Sequence, residues 1–165
     1  MGTRNIKSGV KYFSPDVYTD FRGDLWTLWQ KGKSESFDMP YNHDKVSTSR
    51  KNVLRGIHGD TKSYKLITCL YGEIYFVTVD NRIDSDTYKK WDWEILSDKN
   101  RTQVLLEPGV GNGFFVLSDM CVFHYKWFYE GDYPDVEDQF TIKWNDPSIN
   151  IFWPTQTPIL QKRDL

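Results

Sequence analysis

The chain of 165 residues has only two cysteines, Cys69 and Cys121, and both lie within apolar runs. Buried, reduced thiols are therefore predicted in preference to a disulfide or a redox pair. The sequence also lacks a Cys-x-x-Cys motif and a pair of closely spaced histidines followed by a carboxylate. These absences give no support for a metal site, and we predict neither a metal nor another cofactor.

Long apolar runs and a strong excess of one charge are missing as well. No stretch approaches the roughly 20 apolar residues of a membrane-spanning helix, and the first residues lack the apolar segment of a signal peptide. A cytoplasmic protein without a membrane partner is expected. The formal net charge is −2 and no long basic run occurs, which argues against a nucleic-acid partner.

Aromatic residues, in contrast, supply 16% of the chain, which favours strands over helices. The length predicts one domain over residues 1–165. Turn-forming clusters, among them 109–113, separate short strand candidates, which lie at 24–30, 64–70, 73–80, 91–96, 102–106, 113–118, 121–128, 139–144 and 150–153. Apart from a short helical turn at 84–90, no helical periodicity is evident, so the pattern predicts an all-β sandwich or barrel.

Alternation along two strand candidates indicates which side chains share a face. Phe123, Tyr125 and Trp127 lie on one side of their strand, and Lys65 lies in line with Ile67. Because burial of an unpaired ammonium is costly, Lys65 is expected either near the mouth of a barrel or beside an anionic partner. A lysine at an exposed strand edge is an equally open alternative.

The three histidines are His43, His58 and His124, and histidine is the side chain whose pKa lies closest to neutrality. His58 follows an apolar run and an Arg-Gly pair in NVLRGIHGD. The residues alone make His58 a candidate base, while a structural histidine is the commoner alternative for a lone residue of this kind.

Several blocks, taken in order, resemble dTDP-4-dehydrorhamnose 3,5-epimerases over about residues 18–164: NVLRGIHGD, YKLITCLYGEIYFVTVDNRIDSDTY, PGVGNGFFVLSD, FHYK, IKWNDPSINIFWP and PILQKRD. The resemblance implies a cupin-like jelly-roll β-barrel without metal, in a homodimer that exchanges N-terminal strands. It further implies a nucleotide-diphosphate sugar substrate that is epimerised at C3, C5 or both, through removal of a proton beside a 4-keto group.

The resemblance also implies roles for individual residues. His58 matches the general base, Asp164 the carboxylate that orients it, Lys65 the cation at the developing enolate, and Tyr125 the general acid across the sugar ring. Lys65 and His58 are expected to converge on one cavity, with Tyr125 facing them. Two arginines match contacts to the diphosphate and sugar, namely Arg22 and Arg55. Without the resemblance, Asp164 reads as a solvated tail residue and Arg22 as a turn residue in a surface salt bridge.

Three departures from the family pattern fall where substrate is contacted. A Gln-Asp-Asn segment of the family reads His43-Asp44-Lys45, a family histidine is replaced by Asn112, and the stretch after His58 is short, GDTKSY. His43, Lys45 and Asn112 are therefore candidate substrate-binding residues.

Three segments are most similar to a subgroup that acts on GDP-linked 4-keto heptoses in capsule assembly: GIHGD, EGDYPDVEDQF and PTQTPILQKRD. They favour a GDP-4-keto-6-deoxy-heptose as substrate. The alternatives are 3,5- or 5-epimerisation of dTDP-4-keto-6-deoxyglucose and a non-catalytic sugar-nucleotide binder.

Overall fold

The computed structural model describes residues 3–5, 9–33 and 38–165, the first of these ranges by its backbone alone. Within these ranges the chain forms thirteen strands and two short 3-10 helices, at Val136–Asp138 and Lys162–Asp164. The strands are β1 Thr3–Asn5, β2 Val10–Phe13, β3 Val17–Asp20, β4 Gly23–Trp26, β5 His43–Arg50, β6 Leu54–Gly59, β7 Tyr64–Tyr71, β8 Glu73–Asp80, β9 Trp91–Ser97, β10 Gln103–Leu106, β11 Val110–Val116, β12 Met120–Phe128 and β13 Phe140–Thr141.

Two antiparallel sheets make up the fold. One has six strands in the order β1-β2-β10-β7-β12-β5, and the other has five in the order β13-β6-β11-β8-β9. Apolar side chains of both sheets pack into a shared core, with members that include Ile67, Phe76, Val104, Phe114 and Phe123. Because neighbouring strands are often far apart in sequence, the arrangement is a jelly roll. The predicted all-β fold is confirmed.

A second apolar cluster lies on the outer face of the five-stranded sheet. The C-terminal stretch covers this face, with Ile149 and Trp153 packed on Leu54 and Tyr75. A parallel bridge between Val53 and Ile159 then ties the stretch to the start of β6. This path returns the C-terminus to β6, the strand that carries His58.

The strands β3 and β4 form a separate two-stranded hairpin. Its apolar side chains are largely exposed, with Tyr18 at 72%, Leu25 at 71% and Phe21 at 98%. Monomers seldom expose several large apolar side chains together without an interaction surface to cover them.

Several local predictions need correction. Residues 150–153 form no strand, and residues 110–113, predicted as part of a turn, belong to β11. Five strands that the patterns did not indicate are β1, β2, β3, β5 and β6. The prediction of buried thiols is confirmed, because Cys69 and Cys121 are both free and buried. Along the described ranges, no helix has the length and apolar character needed to cross a membrane.

Candidate active site

A cleft of about 220 Å³ opens between the two sheets. One wall comes from β6 and β11 of the five-stranded sheet, and the other from β5, β7 and β12 of the six-stranded sheet. The loop that follows β12 and the C-terminal stretch complete it. The residues that line the cleft are Lys45, Ser47, Arg55, Gly56, His58, Lys65, Ile67, Asn112, Phe114, Phe123, Tyr125, Trp127, Tyr133, Asp135, Val136, Gln139, Gln161 and Arg163.

His58 and Asp164 form a pair at one wall of the cleft. The ring Nε2 lies 2.7 Å from Asp164 Oδ1, and the ring Nδ1 lies 3.2 Å from Thr141 Oγ1. The Asp164 carboxylate is fully buried, because the final 3-10 helix turns it beneath β6. A solvated tail aspartate is therefore the wrong description. The bond of Nε2 to the carboxylate fixes the orientation of the imidazole and leaves Nδ1 as the nitrogen that can accept a proton.

Lys65 is buried and forms an ion pair with the buried Asp60, at 3.1 Å between Nζ and Oδ2. The Asp60 carboxylate also accepts the backbone N–H groups of Lys62 and Ser63, at 2.9 and 2.6 Å. The ammonium lies 4.4 Å from the centre of a Trp127 ring. Both expectations for a buried lysine therefore hold, since Lys65 lines the cleft and has an anionic partner, and the exposed-edge alternative is wrong.

The pKa values of this pair are shifted by their surroundings. Burial lowers the pKa of Lys65, and the partial compensation by Asp60 does not cancel it. Burial also acts to raise the pKa of Asp60, but the Lys65 charge and the Lys62 N–H outweigh this and hold it below its ordinary value. A neutral Lys65 is thus easier to reach than in water, while Asp60 stays ionised.

Tyr125 projects from β12 into the cleft between Phe123 and Trp127, at ring distances of 5.2 and 5.7 Å. All three line the cleft, which confirms the face predicted from alternation. Burial raises the pKa of the Tyr125 phenol, against the opposing charges of Lys45 and Arg55. The phenol therefore stays protonated near neutral pH, as a proton donor must.

His58 and Tyr125 come from opposite walls. His58 lies on β6 in the five-stranded sheet, while Tyr125 lies on β12 in the six-stranded sheet. Lys65 is on β7, the neighbour of β12, where its register partner is Trp127. The three converge on one cleft as expected, but Lys65 belongs to the wall of Tyr125.

Three of the expected substrate-binding residues line the cleft: Arg55, Lys45 and Asn112. The Arg55 guanidinium donates to Ser49 Oγ at 2.8 Å, and Asn112 is the register partner of His58. Both residues are carried by the wall of His58, and the Arg55 side chain reaches across to β5 of the opposite wall.

Two expected residues lie away from the cleft. His43 stands one layer behind it, with its ring 4.8 Å from Tyr133 and its Nδ1 3.0 Å from Tyr129 Oη. Arg22 lies at the turn of the hairpin, its side chain 77% exposed, and pairs with Asp20 at 2.6 Å. Within one chain Arg22 is thus a turn residue in a surface salt bridge.

The patterns missed several residues that line or support the cleft. Tyr133, Asp135 and Gln139 lie in EGDYPDVEDQF, a segment quoted for the subgroup resemblance but not for any site residue, and Arg163 precedes Asp164 by one residue. Asp60 could have been predicted as a candidate, since a buried Lys65 required an anionic partner. No short motif indicates the loop residues, because folding alone brings them to the cleft. Across the described part of the chain, no three His, Cys, Asp or Glu side chains are grouped so as to hold a metal ion.

The chain matches a known protein family. Residues 5–165 match the family model described as dTDP-4-dehydrorhamnose 3,5-epimerase. An enzyme of that name from Shigella flexneri is 38% identical over 162 residues, which cover 94% of this chain and 88% of the relative. A relative of the same name from Neisseria gonorrhoeae is also 38% identical, but this chain spans about half its length, 48%.

Solved structures resemble the fold closely. A dTDP-6-deoxy-D-glucose-3,5-epimerase from Legionella pneumophila in complex with dTDP-4-keto-L-rhamnose superposes with a TM-score of 0.90 at 34% identity, covering 99% of this chain and 89% of that one. A 3′-monoepimerase from Streptomyces bikiniensis in complex with dTDP-quinovose superposes with a TM-score of 0.85 at 29% identity, covering 94% and 81%.

Proposed function

Because the chain belongs to the dTDP-4-dehydrorhamnose 3,5-epimerase family, we propose that it inverts C3, C5 or both in a nucleotide-linked 4-keto-6-deoxy sugar. The observation that carries this proposal is the convergence of the His58–Asp164 pair, Lys65 and Tyr125 on one cleft. A protein that only binds a sugar has no need of a base and an acid on opposite walls.

The first step is removal of a proton by His58. A ketone at C4 acidifies the hydrogens on C3 and C5, and a base with a pKa near neutrality removes one of them. Asp164 accepts a hydrogen bond from the imidazole, fixes its orientation and stabilises the imidazolium that forms. The electron pair of the broken C–H bond forms a double bond to C4, and the π pair of the C4 carbonyl moves to its oxygen, which gives an enolate.

The enolate charge resides on the C4 oxygen, and we assign its stabilisation to Lys65. A buried ammonium interacts more strongly with this oxygen as an anion than as a neutral ketone, so it favours the transition state over the ground state. Asp60 and Trp127 hold the ammonium in place.

Inversion requires a proton from the other face of the ring, and Tyr125 stands on the other wall to supply it. The phenol O–H bond breaks, a C–H bond forms at the sugar carbon, and a phenolate remains. Reprotonation by His58 instead restores the starting configuration. The ratio of protonation by Tyr125 to reprotonation by His58 determines how often exchange leads to inversion.

The nucleotide is proposed to be dTDP. The ligands named for the relatives are dTDP-linked sugars, which supports dTDP over the GDP-linked heptose suggested by three sequence segments. Lys45 and Asn112 line the cleft and depart from the family pattern. If the substrate were a GDP-heptose, these two residues would contact the part of the sugar ring that differs from the dTDP-linked sugar. Arg55 offers its guanidinium to the diphosphate.

We also propose a homodimer in which the β3–β4 hairpin reaches the partner. The strands β1 and β2 pair within the chain's own sheet, which leaves the hairpin as the N-terminal segment available for exchange. Its exposed apolar side chains then gain a partner surface, and Arg22 at its tip is carried away from its own cleft.

Incubation in heavy water with dTDP- and GDP-linked 4-keto-6-deoxy sugars tests the proposal. NMR at C3 and C5 is expected to show deuterium incorporation with inversion on the dTDP sugar. Incorporation on a GDP-linked heptose alone would assign the chain to the GDP-sugar alternative. No incorporation on any of them, with binding intact by calorimetry, would establish a non-catalytic binder.

A further inference from the structure

Lys45 is a direct neighbour of Tyr125 across two paired strands. In the antiparallel ladder of β5 and β12, Tyr125 and Lys45 are register partners. Register partners point to the same face of a sheet, with their Cβ atoms about 5 Å apart. That face forms a wall of the cleft, since both residues line it. The strand register therefore places a cation beside the proposed acid.

Aromatic groups hold the Lys45 ammonium. Its Nζ donates to the hydroxyl of Tyr133 and lies 4.2 Å from the centre of that ring and 5.7 Å from a ring of Trp127. Over the described residues, no carboxylate forms an ion pair with Lys45. The nearby lysines differ, because Lys65 is paired with Asp60 and Lys126 with Asp44. The charge of Lys45 thus remains available to an anion that forms in the cleft.

Building on the proposed epimerase activity, we propose that Lys45 is a positioning residue that stabilises the phenolate left on Tyr125 after proton donation. When the phenol O–H bond breaks, its electron pair stays on the phenol oxygen as a full negative charge. The proton goes to the sugar carbon, and the enolate electron pair forms the new C–H bond. The neighbouring ammonium interacts with the phenolate much more strongly than with the neutral phenol.

The electrostatics of Tyr125 agree with this geometry. Burial raises the pKa of the phenol, and the charge of Lys45 is the largest effect that opposes it. Tyr133 acts to raise the pKa and Arg55 to lower it. The titratable and charged groups that line the cleft around the phenol are Lys45 on β5, Arg55 and His58 on β6, Lys65 on β7, Tyr133 and Asp135 from the loop after β12, and Arg163 in the final 3-10 helix.

The inference makes a distinctive kinetic prediction. Loss of the Lys45 charge weakens the acid on one wall and leaves the base on the other wall intact. His58 still removes the substrate proton and can return a deuteron to the same face. Exchange without inversion should therefore increase relative to inversion, which a residue that only binds substrate would not cause.

The experiment compares Lys45→Met, which removes the charge, with Lys45→Arg, which keeps it, and with Lys51→Met as a control at an exposed lysine. For Lys45→Met we expect inversion to fall about tenfold relative to exchange in heavy water. Lys45→Arg should retain most of the inversion, and Lys51→Met should match the wild type. Lys45→Gln repeats the test if the methionine variant does not fold.

A second measurement does not depend on activity. Protein labelled with 3-fluorotyrosine is titrated by ¹⁹F NMR, and the Tyr125 resonance is identified by its absence in Tyr125→Phe. In Lys45→Met this resonance should titrate at higher pH than in the wild type or in Lys45→Arg. An unchanged titration together with an unchanged ratio of exchange to inversion would overturn the inference and leave Lys45 as a substrate contact. If the wild type exchanges no 4-keto sugar at all, the proposed function fails, while the titration still decides whether Lys45 and Tyr125 interact.

Discussion

His58 acquires its proposed role from residues far away in sequence. Its imidazole bonds to Asp164, 106 positions later, and to Thr141, 83 positions later. Neither contact can be read from the local motif, so a lone histidine in NVLRGIHGD is ambiguous until the chain folds. The C-terminal stretch matters to the site because it returns a buried carboxylate to the underside of β6.

We expect His58→Asn to abolish deuterium exchange at both C3 and C5, because His58 is the base among the described residues of β6 and β11 that line the cleft. Asp164→Asn should lower exchange by about 100-fold, since the ring keeps its place but loses the charge that stabilises the imidazolium. The readout is NMR of the substrate in heavy water.

The molecule offers a matched control in a second His–Asp pair. His124 Nε2 lies 2.7 Å from Asp44 Oδ1, on the opposite face of β12 from Tyr125. The folded His124→Asn variant should exchange deuterium into the substrate at a rate within a few-fold of the wild type. Exchange by His58→Asn near the wild-type rate would remove His58 from the role of base.

Asp60 is predicted to be the main stabilising partner of Lys65. Asp60→Asn leaves a buried ammonium without a counter-charge, which should cost about 3–5 kcal/mol of unfolding free energy. Urea unfolding measures this directly. Asp119→Asn, which breaks the exposed contact to Lys51 at 3.6 Å, should change stability by no more than about 0.5 kcal/mol.

The same pair sets a pH dependence of stability. The folded pKa of Asp60 lies below its ordinary 3.8, so its contribution is present above that pH and is lost as the pH falls through the folded value. The folded pKa of Lys65 lies below its ordinary 10.5, so its protonation opposes folding. That cost is relieved as the pH rises from the folded pKa towards 10.5. In a double variant, Asp60→Asn with Lys65→Met, both of these changes of the unfolding free energy with pH should vanish.

At the scale of elements, the turn between β7 and β8 depends on its glycine. Gly72 has a φ of +80°, and a Cβ there would overlap the carbonyl oxygen of Met120 and the hydroxyl of Ser118. Gly72→Ala should therefore destabilise the fold by about 1–3 kcal/mol or more. Gly32→Ala is the control, because Gly32 has a similar φ of +78° but open space around it. Equal losses in the two variants by urea unfolding would show that backbone strain alone sets the cost.

The sequence predicts best those elements whose pattern is local. The strands β7 and β8 differ from the expected bounds, 64–70 and 73–80, by one residue at most. By contrast β5, with the sequence HDKVSTSR, carries few apolar residues because it is an edge strand with alternate side chains exposed. The run 150–153 is apolar because it covers the outer face of a sheet, without pairing as a strand.

The site follows the same rule. Residues on patterned strands, Lys65 and Tyr125, could be placed on faces from alternation. Tyr133 in a loop and Arg163 in the final 3-10 helix reach the cleft by a course that depends on tertiary packing. The pairing of Asp60 with Lys65 lies between these cases. The cost of burying an ammonium predicts an anionic partner for Lys65 but does not identify the residue.

At the scale of the whole molecule, the hairpin of β3 and β4 is the feature that one chain does not explain. Phe21 is 98% exposed at its turn, next to Arg22. A turn that presents an aromatic ring and an arginine, both outside the chain's own cleft, suits a site in a second copy of the chain. The proposed dimer therefore makes Arg22 part of the partner's cleft.

Subunit complementation tests this arrangement. Arg22→Ala and His58→Asn should each be impaired alone, the first in its KM for the nucleotide sugar and the second in exchange. If Arg22 acts in trans, a mixed dimer has one site with both wild-type residues and one site that lacks both. Random reassembly of equal amounts should then restore about a quarter of the wild-type sites, because half of the dimers are mixed and each holds one intact site.

The result differs clearly if Arg22 acts within its own chain. Every site in the mixture would then lack either Arg22 or His58, and the activity would equal the mean of the two separate variants. A chain that stays monomeric in sedimentation at the assay concentration would give the same mean. Recovery at low substrate concentration is therefore the decisive reading, because a missing Arg22 weakens binding most where the site is far from saturation.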